Sequence, residues 1–381
     1  FLPFSPPLIG EEEIEEVIDC LRSDWITTGP KTKRFEQSFA EYVGAPAALA
    51  VSSGTDAMLV GLAAMGIGSG DEVITTTMTF CSTVHVIEQV GARPVLVDVE
   101  PDTLNVDPRR VEEAVSSRTR AILPVHLYGH PCDMDALDDI AGRHGLAILE
   151  DAAHALPASY KDRRIGSEGT TAAFSFYATK NLTTGEGGML TGDPELVRKA
   201  RLWSLHGLSG DAYNRYNRGG SWAYEVLVPG FKCNMSDIQA AIGLQQLRKL
   251  DRFQAHRRRI VERYRALLSG CDAVQLPTER PDVVSGWNLF PLRLNLGLLS
   301  IDRDGFIGEL KKRNIGSSVH FIPVHVHPYY RDKYGFGPRD FPIAYDEYLR
   351  IVTVPLSARI QEEDVADVAG AVREICAEFR R

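Results

Sequence analysis

"AALAVSSGTDAMLVGLAAMGIGSGD", residues Ala47 to Asp71, decides the fold. An apolar run leads into a Ser-Gly-Thr turn, and apolar residues then recur up to a glycine-rich stop. This pattern predicts a strand, a tight turn and a helix. Unpaired N–H groups and the helix dipole favour an anion at such a helix start, so Gly54 and Thr55 are candidate phosphate ligands. The alternative is an ordinary capped turn.

Similar units follow along the chain. Apolar, β-rich runs alternate with helical patterns between about residues 45 and 195; the runs are "DEVITTTMTF", "ARPVLVDV", "RAILPVHLYG", "LAILEDAAH", "TAAFSFYATK" and "GGMLTG". Strands that are apolar almost throughout and alternate with helices indicate a mainly parallel sheet covered on both faces. The sequence therefore predicts an α/β three-layer sandwich.

The two ends of the chain complete this architecture. "EEEIEEVIDCLRS" and "KRFEQSFAEYVG" predict two N-terminal helices, and a long helix with a Ser-Asp cap signal begins near Met235. The strands and helices that follow are typical of a smaller α+β domain. We predict a large domain over residues 1–250, which includes the N-terminal helices, and a small C-terminal domain over residues 251–381.

Composition excludes several classes of function. The 381 residues are 44% hydrophobic and 24% charged, as in an ordinary globular protein, and the net charge of −9 argues against general affinity for nucleic acid or anionic membranes. No apolar run is long enough to span a bilayer and no secretory signal is visible, which predicts a cytoplasmic protein. The six scattered cysteines favour reduced thiols over disulfides or a zinc site.

Chemistry-bearing residues follow several of the predicted strands. Asp151 and His154 come at the end of the apolar run "LAILEDAAHA", where a carboxylate needs a cationic partner; a helix cap and a structural histidine are the alternatives. Phe80 ends another strand and is either a stacking platform or a core residue. Lys180 follows a third strand, and a buried lysine can act as the amine of a Schiff base.

The order of these features suggests one cofactor. A phosphate cradle, an aromatic ring, a strand-end carboxylate and a strand-end lysine are the parts needed to hold pyridoxal 5'-phosphate. A glycine run at Gly66 to Gly70 is a weak alternative signal for a dinucleotide. It follows a helix rather than a strand, which favours a helix stop.

Several motifs carry a resemblance to a known family. They are "WITTGP", "SSGTDAM", "GDEVITTTMTF", "ILEDAAHA", "GSEGTTAAFSFYATKNLTTGEGGML", "GFKCNMSDIQAAIGLQQL", "SSVHFIPVH" and "HPYYRDKYG". From about Phe4 to the C-terminal helix, the chain resembles the DegT/StrS family of nucleotide-sugar aminotransferases. These are pyridoxal phosphate enzymes of fold type I, like aspartate aminotransferase.

The resemblance implies roles for individual residues. Lys180 is similar to the lysine that bonds to the cofactor, and Asp151 to the carboxylate that keeps the pyridine nitrogen protonated. The implied cofactor ligands are completed by Gly54, Thr55 and Ser175 at the phosphate, Phe80 on one ring face, His154 near the ring hydroxyl, and Asn234 from a second subunit. The family therefore implies a homodimer with active sites shared across the interface. Lys232 stands where many relatives have Asn, which leaves open whether Lys232 or Asn234 makes the phosphate contact.

The implied reaction transfers an amino group from L-glutamate to a keto group of a nucleoside-diphosphate-linked sugar. The run "SSVHFIPVHVHPYYRDKYG" and the form "GFKCNMSD" resemble the C4-aminating relatives most, which favours C4 amination over the C3 alternative. Lys180 argues against related dehydratases that carry histidine there. A non-catalytic regulatory protein that binds the cofactor is the alternative from another class. An anionic substrate needs local cations in an acidic protein, so the candidate contacts are Thr28, Arg215, Arg218, Lys232, His320 and His325. His325 and His327 lack further ligands at suitable spacing, so we predict no metal.

Overall fold

A computed structural model describes residues 1–209 and 224–381 of the chain. Arg215 and Arg218 lie outside the described residues. The chain opens with helices α1 (Glu11–Arg22) and α2 (Pro30–Val43). Both pack against the long helix α8 (Asp237–Leu268), which begins at a capping box formed by Ser236 and Gln239, as the Ser-Asp signal predicts.

Helix α1 packs with an unexpected face inward. Its apolar residues Ile14, Ile18 and Leu21 are 44%, 40% and 57% exposed, whereas Glu13 is 1% exposed. The buried carboxylate of Glu13 forms an ion pair with Lys249 of α8, with 2.7 Å between Oε2 and Nζ. A charge that finds such a partner tolerates burial, and here the pairing orients the helix.

The central part of the chain contains the predicted strands and helices in the predicted order, together with three further elements. The elements are β1 (Ala47–Val51), α3 (Gly54–Ala64), β2 (Glu72–Thr76), α4 (Ser82–Gln89), β3 (Arg93–Val97), α5 (Pro108–Ala114), β4 (Thr119–Leu123), α6 (Met134–His144), β5 (Ala147–Ile148), β6 (Glu150–Asp151), β7 (Ser159–Tyr160), β8 (Arg163–Arg164), β9 (Ala172–Ser175), β10 (Gly188–Gly192) and α7 (Pro194–Ser204). The sequence patterns do not predict the short strands β7 and β8 or the helix α7.

All of these strands except β7 and β8 form one mainly parallel sheet. Strands β3-β2-β4-β5 are parallel neighbours, β6 pairs in parallel with β9, and β10 runs antiparallel between β9 and β1. The two ladders meet where Val125 bridges Asp151, since β5 and β6 are separated only by Leu149. The carboxyl ends of the parallel strands therefore lie along one edge, where open α/β sheets place their ligands.

Helices cover both faces of this sheet. One hydrophobic core joins the sheet to α2, α6 and the first part of α8, and includes Phe35, Phe39 and Leu244. A second core joins the other face to α3, α4 and α7, and includes Leu62 and Ile87. The predicted three-layer α/β sandwich is confirmed.

The C-terminal part is a small α+β unit. Its elements are β11 (Val274–Gln275), β12 (Val283–Val284), β13 (Phe290–Leu294), α9 (Arg303–Lys312), α10 (Pro328–Tyr334), α11 (Pro342–Arg350), β14 (Ile351–Val354) and α12 (Glu362–Glu378). Strands β11-β13-β14 are antiparallel and pack on α9, α12 and the second part of α8, whereas β12 joins a small sheet with β7 and β8.

The predicted domain boundary at residues 250 and 251 lies inside the continuous helix α8. Leu250 belongs to the core of the sandwich, and Ile260 belongs to the core of the C-terminal unit. The helix therefore passes from one core to the other near the predicted boundary, and the division into domains itself stays a prediction.

Candidate active site

A cavity of about 360 Å³ opens at the carboxyl edge of the sheet, next to the C-terminal unit. Several sequence-predicted site residues line it: Gly54, Thr55, Phe80, Asp151, His154, Ser175, Lys180 and His320. They come from five separate segments of the chain; four of these lie at or just after the ends of strands at this edge of the sheet, and His320 comes from the C-terminal unit. A shared cavity favours a common chemical role for them.

The start of helix α3 forms one wall of the cavity. Ser53 caps the helix, since its Oγ accepts a hydrogen bond of 3.0 Å from the N–H of Asp56. The backbone of Gly54 approaches strand β9 so closely that an added Cβ would lie 2.8 Å from Cβ of Ser175. Free N–H groups of the first helical turn and the Ser175 hydroxyl thus share a space suited to an anion.

Lys180 lies in the turn after β9 and faces the cavity. Its backbone N–H donates to the carbonyl of Tyr177 at 2.9 Å, which fixes the turn. Burial lowers the pKa of Lys180 from 10.5 to about 8, and the negative charge of Asp151 opposes this shift. On the order of a hundredfold more of this amine is neutral at pH 7 than for an ordinary lysine. Lys180 is therefore suited to act as a nucleophile and as a base.

Asp151 is the last residue of β6 and is 4% exposed. Its Oδ2 accepts a 2.8 Å hydrogen bond from the Thr83 hydroxyl, and its Oδ1 accepts a 3.1 Å bond from the N–H of Ala153. Burial raises the pKa of Asp151, while these two donors and the charges of Lys180 and His126 oppose the rise. A buried carboxylate held in this way can stabilise a positive charge in the cavity.

Aromatic rings form another part of the cavity lining. The ring of His154 stacks on Phe321 with 5.8 Å between centroids and 12° between planes, and the ring of Phe80 lies 6.0 Å from Phe321. Phe80 is 57% exposed, which excludes the core alternative. Nδ1 of His154 accepts from the N–H of Tyr128 at 3.3 Å, and burial holds the pKa of His154 well below its usual range. His154 is therefore neutral, with its proton on Nε2.

His320 completes the cavity from the C-terminal unit. Its Nδ1 lies 3.0 Å from the hydroxyl of Thr353, and its ring stacks on Phe4 at 5.3 Å. Burial, and then the nearby charge of Lys180, lowers the pKa of His320 to about 4. Neutral His320 thus offers hydrogen bonds to a ligand but no positive charge near neutral pH.

Comparison with known proteins assigns the chain to a family. The model of the DegT/DnrJ/EryC1/StrS aminotransferase family matches residues 7–373. The chain belongs to this aminotransferase family. It is 50% identical over 377 residues to the spore coat polysaccharide biosynthesis protein SpsC of Bacillus subtilis (strain 168), covering 98% of this chain and 97% of that protein.

Solved structures of sugar aminotransferases share the fold. Spr1654 from Streptococcus pneumoniae, assigned as a sugar aminotransferase and solved in its PMP form, superposes with a TM-score of 0.93 at 35% identity, covering 99% of this chain and 100% of that one. Helicobacter pylori PseC, an aminotransferase involved in the biosynthesis of pseudoaminic acid, gives a TM-score of 0.91 at 26% identity, with coverages of 99% and 100%. The resemblance inferred from the motifs is confirmed, as is the fold type.

Three predicted ligands of the aminotransferase lie together outside the cavity. Asn234 donates from Nδ2 to the Thr28 hydroxyl at 2.6 Å, and Lys232 donates from Nζ to Oδ1 of Asn234. We call these residues the Thr28–Lys232–Asn234 cluster. The segment is tied to the anion wall because the N–H of Ser52 donates to the carbonyl of Cys233 at 2.8 Å. None of the three lines the cavity of the described chain.

His325 also lies away from the cavity. It is 0% exposed, its Nδ1 lies 2.7 Å from the Thr77 hydroxyl, and its Nε2 is 3.3 Å from the carbonyl of Pro338. This environment is that of a packed, hydrogen-bonded side chain. Burial lowers the pKa of His325, which is typical of a neutral structural histidine.

Several cavity residues carry no local sequence signal. Thr83 contacts the site through Asp151, whereas Tyr177, Asn288 and Phe321 line the cavity directly. Across residues 1–209 and 224–381, no three His, Cys, Asp or Glu side chains converge as a metal site would require. No helix within the same ranges has the length and apolar character to cross a membrane.

Proposed function

We propose that the protein is a sugar aminotransferase that transfers the amino group of L-glutamate to C4 of a keto sugar linked to a nucleoside diphosphate. The observation that carries this proposal is the cavity itself. Lys180, with a pKa lowered to about 8, shares it with buried Asp151 and with the helix start at Gly54. Family membership confirms the predicted transaminase class, and a relative solved in PLP and PMP forms confirms the predicted cofactor.

The residues present fit pyridoxal 5'-phosphate. The close approach of Gly54 to Ser175, where a Cβ would collide, leaves the first N–H groups of α3 open to a phosphate. Asp151 lines the same cavity with an ionisable carboxyl, and Phe80 adds an exposed aromatic ring to it. When bound, the cofactor supplies an electrophilic aldehyde and a ring that withdraws electrons from the reacting carbon.

Each cavity residue has a role in holding this group. We assign the phosphate to Gly54, Thr55 and Ser175, and the proton of the pyridine nitrogen to the carboxylate of Asp151. Phe80 would stack on one ring face, and neutral His154 would offer its Nε2 proton to the ring hydroxyl. These contacts orient the reacting carbon toward Lys180 and exclude water from it.

Lys180 carries out the proton transfers. Its neutral amine would hold the cofactor in the resting enzyme, and Nζ would be free to act as a base once the amine of L-glutamate takes its place. The free Nζ then accepts the proton from the α-carbon of glutamate, and the lowered pKa places this base close to physiological pH. The same atom delivers a proton to the sugar carbon in the second half of the reaction, so one amine serves both directions.

The sugar nucleotide brings negative charge into an acidic protein. Within the described residues, Lys180 is the sole lysine or arginine that lines the cavity, so the diphosphate needs cations from elsewhere. We propose that Lys232 and Asn234 of a second copy supply part of this surface, together with Arg215. The position of the Thr28–Lys232–Asn234 cluster, outside the cavity of its own chain, supports a homodimer with shared sites.

The sugar substrate is supported by the relatives. SpsC is described as a spore coat polysaccharide biosynthesis protein and PseC as an aminotransferase for pseudoaminic acid, and both descriptions concern sugar-derived products. We extend this substrate class to the present chain. C4 is favoured by the run "SSVHFIPVHVHPYYRDKYG" and by the form "GFKCNMSD", and the C3 position is the alternative.

A panel of keto sugars tests the proposal. The amine form of the enzyme, prepared with L-glutamate, is mixed with 4-keto and 3-keto sugars on the same nucleotide, and the visible absorbance of the cofactor is followed. We expect the 4-keto sugars to restore the resting spectrum, and Lys180→Ala to abolish the response. A response to 3-keto sugars alone would replace the C4 assignment.

A further inference from the structure

Two buried hydroxyl groups connect the cavity to Asp151. Thr79 lines the cavity and is 2% exposed, and its Oγ1 lies 2.8 Å from Oγ1 of Thr83. Thr83 is 0% exposed and donates from Oγ1 to Oδ2 of Asp151 at 2.8 Å. The three side chains form a continuous chain of short hydrogen bonds in an environment without bulk water.

The direction of these two hydrogen bonds is fixed by the negative charge of Asp151. An ionised carboxylate only accepts hydrogen bonds, so the Thr83 hydroxyl must donate its one hydrogen bond to Asp151. Thr83 then has no second proton to donate, and Thr79 must donate to it. The dipoles of both hydroxyls therefore align toward Asp151, and this alignment lowers the energy of its charged form.

These hydrogen bonds also orient the carboxylate of Asp151. Oδ2 is bound to Thr83, whereas Oδ1 accepts from the N–H of Ala153 at 3.1 Å. Because both oxygens accept hydrogen bonds from the protein, the carboxyl group cannot rotate freely, and an Oδ1 lone pair remains for a ligand in the cavity that Asp151 lines.

Thr83 is itself held firmly. It lies in the first turn of α4, which is anchored by the buried residues Val84 and Ile87. At the other end of this helix, Glu88 accepts 2.6 Å hydrogen bonds from the hydroxyls of Tyr329 and Tyr334. Contacts at both ends of α4 thus fix the position from which Thr83 reaches Asp151.

We propose that Thr83, supported by Thr79, is a positioning residue that keeps Asp151 ionised and aimed at the cofactor's ring nitrogen. The role of the ring nitrogen rests on the proposed function, whereas the effect of Thr83 on the Asp151 carboxyl does not. Thr83 touches Asp151 and not the reacting atoms, so its effect passes through the protonation state of that carboxyl.

The test compares Thr83→Val with Thr75→Val. Thr75 is equally buried, donates one 2.7 Å hydrogen bond to the carbonyl of Leu123, and does not line the cavity, so it is a matched control. We expect Thr83→Val to lower kcat by about tenfold to a hundredfold with KM changed by less than about threefold. Thr83→Ser, which keeps the hydroxyl, is expected to restore kcat to within about threefold, and Thr75→Val to leave it unchanged.

A second readout needs no cofactor. Urea unfolding of the apoprotein is measured across pH 4 to 8. The loss of stability in Thr83→Val grows as Asp151 ionises, because a lost bond to a charge costs more than a lost bond to a neutral carboxyl. The other charged groups at Asp151 are Lys180 and His126 with its partner Glu150. They are present in every variant, so their contribution to the pH dependence of stability cancels when variants are compared. Thr75→Val is expected to show a pH-independent loss.

The outcomes are distinguishable. If Thr83→Val does not fold, Thr79→Val replaces it and is expected to shift the same pH dependence by a smaller amount, since Thr83 then still donates to Asp151. A pH-independent loss in both threonine variants, with kcat equal to that of Thr75→Val, overturns the inference. Failure of the wild-type protein to take up the cofactor overturns the proposed function, while the apoprotein measurement still decides the role of Thr83.

Discussion

Replacing Gly54 by alanine tests the anion wall of the cavity. An ideal Cβ at this position would lie 2.8 Å from Cβ of Ser175, 3.2 Å from its Cα and 3.3 Å from the carbonyl oxygen of Phe174. Two of these three atoms belong to the backbone of the β9 segment and cannot move aside as a flexible side chain would. The helix start and the strand must therefore separate by several tenths of an ångström.

The energetic consequence has two parts. Overpacking of this kind costs about 1 to 3 kcal/mol, and alanine regains up to about 1 kcal/mol of that through its lower conformational entropy in the unfolded chain. We therefore expect Gly54→Ala to lower the free energy of unfolding of the apoprotein by about 1 to 2 kcal/mol. Displaced N–H groups hold the phosphate poorly, and cofactor affinity is expected to fall by about tenfold to a hundredfold.

Gly370→Ala is the matched control. Gly370 lies inside helix α12, and its added Cβ would meet no heavy atom within 4 Å. This variant should gain up to about 1 kcal/mol in urea unfolding and keep its cofactor affinity. The two substitutions are thus expected to change the free energy of unfolding in opposite directions. Equal stability of Gly54→Ala and wild type, together with equal cofactor binding in an absorbance titration, would refute the reasoning.

Three further predictions concern other residues. Asp151→Asn should lower kcat by at least about a hundredfold with an unchanged circular dichroism spectrum, because the amide cannot hold the ring proton. Acetylation of Lys180 in the apoprotein, followed by peptide mass mapping, should accelerate with pH and level off above about 8; Asp151→Asn should lower this midpoint, since the carboxylate favours the ammonium. Asp237→Ala should cost about 3 kcal/mol in urea unfolding, because buried Asp237 accepts from the N–H groups of Gly29, Lys31 and Thr32 and from the Thr32 hydroxyl. As a comparison, Asp302→Ala should cost only about 1 kcal/mol, because the exposed helix cap Asp302 accepts a hydrogen bond from the N–H of Gly305.

The sheet and its layers follow from local patterns. Each apolar run is followed by a turn and an amphipathic segment, so the identity and order of β1, β2, β3, β4, β9 and β10 are visible in the sequence. The orientation of α1 is not, because it depends on an ion pair between Glu13 and Lys249, which are 236 residues apart. A helical pattern shows which residues share a face, but not which charge finds a buried partner.

Some residues of the candidate site are likewise visible in the sequence, and others are not. Lys180, Asp151, Gly54 and Thr55 stand at strand ends, where the architecture alone implies a role. Thr83 gives no such signal, since its partner Asp151 lies 68 positions further along the sequence. For His325 the sequence motif suggests a substrate contact, but the structure packs this histidine against Thr77 and Pro338. The motif gives no information about that burial.

The attachment of the cofactor to Lys180 is the most direct test of the central claim. The purified protein is loaded with pyridoxal 5'-phosphate, reduced with borohydride and digested, and the modified peptide is sequenced by mass spectrometry. We expect one pyridoxyl group per chain, on Lys180, and none on Lys180 when excess L-glutamate is added before reduction. Modification of other lysines with Lys180 left unlabelled would contradict the account.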